Sequence, residues 1–345
     1  MRSERFAALD RIVREATGRL FTGAVARVES GGVLQFERAY GVTRADDAAR
    51  PVFCDTRFDL ASLTKLFVSD AALALASQGR IDLDEPLASV VESWRGTDHA
   101  SITPRMLLAH TSGMNSGADY RTLLDEDVER FALHRPLVAR PGERVIYSDL
   151  GMIALGVVLA RVTGRSLPAL LARRFATRTL GFRPDARERA AIPATEDDAW
   201  RGRVQGTVHD EKAHLCNGVA GHAGLFGCAA DVARLTESYL GALRGRASAR
   251  LPHALAAAAV TEQAYDPVLR RGLGWALKTN DENSCGARFS PSTFGHTGFT
   301  GTCVWADPER DVQGVLLTNT VYFGRSDSRP LRAAFYDAVI EATQP

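Results

Sequence analysis

Phe58-Asp59-Leu60-Ala61-Ser62-Leu63-Thr64-Lys65 leads into a strongly apolar run, and how that stretch is read decides the fold. Leu66, Phe67, Ala71, Leu73, Ala74 and Leu75 follow at helical spacing, and Gly79 is placed to end the helix. Residues three apart on a helix share a face, so Ser62 and Lys65 can touch. Ser62 opens the helix, where free N–H groups and the macrodipole favour developing negative charge. A serine hydroxyl is a weak nucleophile until a neighbour takes its proton. A lysine can do so if burial and nearby cations lower its pKa. Taken alone, Ser-x-x-Lys has only two fixed positions and reads first as a capping serine and a surface lysine. Its meaning depends on what the rest of the chain brings to it.

Outward from this stretch, Phe6, Leu9, Ile12, Val13 and Ala16 predict a helix over residues 5–17, ended by Gly18. Residues 24–29 and 32–40, separated at Ser30-Gly31, predict a hairpin. From about 81 to 260 the pattern is mostly helical segments broken by Pro and Gly, clearest at Leu150–Val162 before Gly164. Strand character returns at Leu273–Leu277, Thr302–Ala306 and Gly314–Thr318, with a turn at 307–311, and a last helix is predicted over Arg329–Ala342. The economical architecture is α+β. One sheet lobe is built from both ends, residues 1–80 and 261–345, and a mostly helical lobe, 81–260, is inserted with the active site between them.

Composition narrows the function classes. Lys+Arg 42 against Asp+Glu 41 leaves a net charge of +1, with no basic stripe interleaved with aromatics, so nucleic acid is not an expected partner. The five cysteines are scattered and form no C-x-x-C pair, which argues against a disulfide framework or zinc site and fits a reducing compartment. Residues 1–6 are not followed by an apolar segment of signal-peptide length, and the longest apolar stretch, Met152–Ala160, is too short to span a membrane. The expectation is a cytoplasmic protein with no membrane partner, or a periplasmic one if a native leader has been removed.

Two further segments give Ser62 and Lys65 company. Pro141-Gly142-Glu143-Arg144-Val145-Ile146-Tyr147-Ser148-Asp149 reads as a turn entering a helix, and Phe294-Gly295-His296-Thr297-Gly298-Phe299-Thr300-Gly301 as a glycine-rich strand edge. In this order, Ser-x-x-Lys, Tyr-Ser-Asp and His-Thr-Gly resemble the serine β-lactamase and DD-peptidase superfamily. Within it they resemble the branch of class C β-lactamases, DD-carboxypeptidases and family VIII esterases. Residues 79–87, 102–113, 147–151 and 221–226 are also similar to segments of that branch, so the likeness runs through nearly the whole chain.

The resemblance implies an antiparallel sheet flanked by helices and a serine acyl-transfer enzyme. Ser62 would be the nucleophile, with Lys65 and Tyr147 sharing its proton. The backbone N–H groups of Ser62 and Phe299 would form the oxyanion hole, and His296, Thr297 and Gly298 would hold the substrate extended. Asp149 stands where many relatives carry asparagine: it would contact substrate and hold a charged Lys65, or simply cap the following helix. His296 replaces a lysine common in β-lactamases, which points away from that activity.

His222, in a loop that borders the cleft in relatives, reads as a substrate contact or as a satisfied loop histidine. His209, Asp210, Glu211, His214 and His222 lack the spacing of a zinc helix, and the branch needs no metal or cofactor, so none is expected. His110 reads as structural, and Arg173-Arg174 and Arg270-Arg271 as solvated charge. The expected function is hydrolysis of an ester or amide in a small-molecule or peptide-like substrate: an ester, a D-amino-acid peptide or a muropeptide. The alternatives are a DD-carboxypeptidase or class C-like β-lactamase, an acyltransferase, or a catalytically silent binding module. Oligomeric state is not legible.

Overall fold

Gly23–Ser30 (β1) and Val33–Gly41 (β2) form the predicted hairpin in a computed structural model that describes residues 2–116, 119–268 and 270–344. Its two-residue loop, Gly31-Gly32, has φ of 60° and 73°. Both are left-handed, as the tight turn matching strand twist requires. From the other end of the chain come Ala276–Leu277 (β3), Phe294–Thr297 (β4), Cys303–Asp307 (β5) and Val312–Thr318 (β6). The strand order is β2-β1-β6-β5-β4-β3, antiparallel throughout. This is the expected α+β architecture, an antiparallel sheet with flanking helices.

The two faces of the sheet bury different cores, because successive strand residues point to opposite sides. Ala24, Ala26, Val28 and Leu316 pack with Leu9, Val13, Phe335 and Val339 of helices Ala7–Ala16 (α1) and Arg329–Thr343 (α5). Val25, Val304, Val315 and Leu317 join a larger core with Leu235 and Tyr239 of Ala229–Arg244 (α4). That larger core continues into Thr64–Ser77 (α2) and Asp149–Thr163 (α3). α2 is buried on every side from Thr64 to Leu75, so it carries little amphipathic pattern. Ser148 caps α3, its Oγ accepting from the Gly151 N–H at 2.8 Å, and Gly164 closes it at φ 65°.

Two local expectations are corrected. The strand expected over Leu273–Leu277 shrinks to Ala276–Leu277, because Gly272 N–H donates to the Trp275 carbonyl and folds the preceding residues into a turn. The middle of the chain also holds short strands. Gly181–Phe182 and Phe58–Asp59 flank Leu225–Gly227, and Glu196–Asp198 pairs with Gly202–Val204. Strands of two or three residues are too short to show an alternation. Among the described residues no single helix is long and apolar enough to cross a membrane.

Candidate active site

The chain enters the site through a strained turn. Phe58–Asp59 pairs with Leu225–Gly227, and a 3-10 turn, Ala61–Leu63, then leads into α2. Ala61 sits at φ 45°, left-handed for a residue with a side chain. Such a conformation costs on the order of 1–2 kcal/mol and persists only where neighbours impose it. Here the buried carboxylate of Asp59 accepts from the N–H groups of Ala61 (2.9 Å) and His209 (2.6 Å). Thr300 and Thr302 donate their hydroxyls to the carbonyls of Asp59 and Leu60, at 2.9 and 3.1 Å. Ser62 is thereby held at the first turn of the helix, against the strand segment that follows His296.

Two side chains meet at this serine, one from the next turn of its helix and one from 85 positions further along the chain. Lys65 Nζ donates to Ser62 Oγ at 2.8 Å and to the His222 carbonyl at 3.2 Å. Tyr147 Oη lies 3.0 Å from Ser62 Oγ. Tyr147 is positioned by His110, whose carbonyl accepts from Ile146 N–H (2.7 Å) and whose Nδ1 accepts from Ser148 N–H (3.2 Å). The rings of His110 and Tyr147 are 4.7 Å apart. His110 itself holds φ 57°, so this structural histidine acts on the site through Tyr147.

Asp149 is not the helix cap, a place Ser148 takes. Its Oδ1 lies 2.9 Å from Lys65 Nζ and its Oδ2 3.3 Å from Lys212 Nζ. Lys212 also approaches Asp210 (3.6 Å), which bonds His222 Nε2 at 2.7 Å. Burial alone would push the Lys65 ammonium down, but Asp149 and Tyr147 outweigh it and hold the amine above its ordinary range. Burial would raise the Asp149 carboxyl, yet Lys65 and His222 hold it well below the usual carboxylate range. Lys65 is thus a fixed ammonium in the resting site, not the lowered-pKa base that burial would produce. Asp149, Asp210 and His222 carry ligand atoms within 4.8 Å of one another. Their carboxylate oxygens are already engaged by the two lysines, which does not suit a second cation.

Opposite the serine, β4 supplies His296 and Thr297, with Gly298 and Phe299 just beyond. β4 lies between β5 and β3 in the sheet. The two-residue β3 covers it only at Phe294 and Gly295, which leaves His296 and Thr297 unpaired on that side. Gly298 is required by closeness: a Cβ there would collide with Thr302 Oγ1 and lie 2.8 Å from the Leu60 carbonyl. Its N–H donates to the Thr302 carbonyl at 2.7 Å, and Arg332 donates to its carbonyl at 3.0 Å. His296 is pushed down to about 3 by burial, helped by Arg271 and Lys65, so it is neutral and no substitute for a lysine.

A cavity of about 530 Å³ opens over Ser62, Tyr147, Arg271, His296, Thr297 and Phe299. His222 is not at its surface. The side chain is 1% exposed and tied to Asp210, and the residue serves the site through its carbonyl. Sequence reading also missed Lys212 and Arg271. Arg271 is buried, not solvated, with its guanidinium 5.0 Å from the Tyr147 ring. The available signal was a charge at the head of the apolar, glycine-spaced stretch Gly272–Trp275.

With this geometry in place, comparison with known proteins places the chain. The Beta-lactamase family model matches residues 9–338. The chain is 31% identical to esterase EstB of Burkholderia gladioli, over 96% of this chain and 93% of that protein. It is 29% identical to N-acetylmuramyl-L-alanine amidase of Bacillus subtilis (strain 168), over 92% and 81%. Among solved structures it superposes on EstCE1, a hydrolase with promiscuous acyltransferase activity, with a TM-score of 0.79 and 23% identity over 98% and 99% of the two chains. A family match running from α1 into α5, over a fold shared along nearly the whole chain, makes this protein a member of the beta-lactamase family and a serine hydrolase acting on ester or amide bonds.

Proposed function

We propose that the protein hydrolyses a small carboxylic ester through an acyl-enzyme on Ser62. The observation that carries this reading is the convergence of Lys65 Nζ and Tyr147 Oη on Ser62 Oγ, at 2.8 and 3.0 Å. Ser62 attacks the carbonyl carbon while its proton passes to the deprotonated Tyr147 oxygen. The N–H groups of Ser62 and Phe299 receive the developing oxyanion. Tyr147 then returns the proton to the departing alkoxide, and the alcohol leaves. A water attacks the acyl carbon and gives its proton to Tyr147, which passes it to Ser62 Oγ as the acid departs, restoring both groups. Lys65, held as an ammonium by Asp149, donates to Ser62 Oγ and steadies charge during both steps.

In this reading the cleft lies between the sheet lobe, 1–80 and 261–345, and the inserted lobe, 81–260. The first supplies Ser62, Lys65 and the 296–298 segment; the second supplies Tyr147 and Asp149. His296 and Thr297, unpaired toward β3, offer backbone to an extended substrate, with Gly298 admitting its close approach. The ester preference has three supports. An alcohol leaves with less proton assistance than an amine, and the neutral His296 offers no fixed cation for a β-lactam carboxylate. EstB, the 31% identical relative, is named an esterase. Five unpaired cysteines support a reducing compartment, the cytoplasm.

The test sets p-nitrophenyl esters, D-alanyl peptides and nitrocefin side by side, with a fluorophosphonate probe. Ester turnover and probe labelling, both lost in Ser62→Ala, are expected. Peptide or nitrocefin turnover above ester turnover would replace the ester reading. Labelling that survives Ser62→Ala would end the assignment of the nucleophile.

A further inference from the structure

Lys65 cannot accept the serine proton while Asp149 keeps it an ammonium, so the burden falls on the Tyr147 oxygen. A phenol accepts a proton only after losing its own, and the charges around the ring decide how readily that happens. Lys65 Nζ is 4.9 Å from the ring centroid and Arg271 Cζ 5.0 Å. His110 and His296 also face the ring, with centroids at 4.7 and 6.1 Å, and both are held neutral chiefly by burial. Asp149 contributes a negative charge through Lys65, and Asp266 acts on Arg271 from further away. The Lys65 ammonium is tied to the Asp149 carboxylate, which Lys212 also engages. Arg271 is the cation at the ring for which no ion pair is formed among the described residues.

Arg271 is itself unusual. It is 2% exposed, and its Nε and Nη1 are buried with no hydrogen-bond partner. Its backbone is fixed by bonds with Ala264 and Gln263, and it lines the cavity above Ser62. Burial draws the guanidinium down to about 10, so it stays charged at neutral pH. A buried charge with idle donors lowers stability. Its placement is explained if the charge has work at the ring.

We propose that Arg271 is a positioning residue that stabilises the deprotonated phenol of Tyr147 and so sets the lower pH limit at which Ser62 is activated. This rests on the reading of Tyr147 as the proton acceptor. An opposite charge 4–6 Å from a titrating group moves its midpoint by roughly one to three pH units. Losing the cation disfavours the phenolate, so the acid limb must move to higher pH.

The experiment is the pH profile of kcat/KM for an uncharged p-nitrophenyl ester in wild type, Arg271→Gln and Arg271→Lys. The glutamine variant is expected to shift the acid limb upward by at least about one unit, with the rate recovering at high pH and the lysine variant largely restoring the wild-type limb. If Arg271→Gln proves unfolded by circular dichroism, Arg271→Met removes the charge while filling the space, and is read the same way. An unmoved acid limb overturns the proposal. So does a change confined to KM for carboxylate-bearing esters, which would make Arg271 a substrate anchor. Tyr147→Phe separates the two layers. If it keeps wild-type turnover, the underlying reading fails; if it loses turnover while Arg271→Gln leaves the limb in place, only the role of Arg271 fails.

Discussion

Lys65 Nζ lies 2.9 Å from Asp149 Oδ1, in a pair whose side chains are 1% and 15% exposed. This contact decides the resting charge of the site. Where an asparagine would leave the lysine free to lose its proton, a carboxylate holds the ammonium in place. Removing one member of a buried pair leaves the other charged and uncompensated.

Asp149→Asn should therefore lower stability at neutral pH by on the order of 3 kcal/mol. The pH window follows from the sign. The folded Asp149 carboxyl titrates well below its ordinary value, so its contribution is present above that ordinary value and disappears as pH falls through the depressed one. Urea midpoints of the two proteins should stand apart at pH 7, remain apart near pH 4, and converge only in stronger acid. Convergence already at pH 5 would contradict the pairing.

His296 gives a slope of the same sign in a higher pH window. Unfolded, it takes up a proton near its ordinary 6.5; folded, it is held near 3 by burial, Arg271 and Lys65. Between those values the unfolded chain binds more protons, so stability falls as the solution is acidified, by about 1.4 kcal/mol per pH unit from this group. His296→Gln should remove that part of the slope between pH 6 and 4. The check is the difference in unfolding free energy between the two proteins, in which other groups cancel.

Gly298 tests the oxyanion geometry. Its hypothetical Cβ would press on Thr302 Oγ1 and the Leu60 carbonyl, at the turn that carries Ser62. Gly298→Ala should push the 298–299 backbone away from the serine and slow acylation by about 10²–10³-fold, the cost of losing one oxyanion donor. Burst kinetics with a p-nitrophenyl ester would show it. An acylation rate within twofold of wild type would mean that the Phe299 amide is not a donor.

Much of this architecture is legible before any coordinates. The β1–β2 hairpin announces itself by two runs carrying Ala24, Val25, Val28 and Val33, Leu34, Phe36 on either side of Ser30-Gly31. Ser62 and Lys65 are neighbours by helical spacing, which needs nothing beyond one turn of backbone. Tyr147 and the 296–298 segment are recognisable as motifs. Two- and three-residue strands such as Phe58–Asp59 leave no periodic trace, and their pairing with Leu225–Gly227 is decided by packing.

Charge is where chain order stops being informative. Asp149 reads as a cap or as an ion-pair partner with equal ease, and the choice depends on where Lys65 ends up, 84 positions earlier in the chain. Arg271 reads as solvated, and only folding buries it against Tyr147. The sequence by itself determined the nucleophile, its helix and the segments that surround it, because local spacing governs those. The tertiary structure alone decided which groups carry charge, because desolvation and Coulomb energy follow distances through space, and those are set only when remote segments pack.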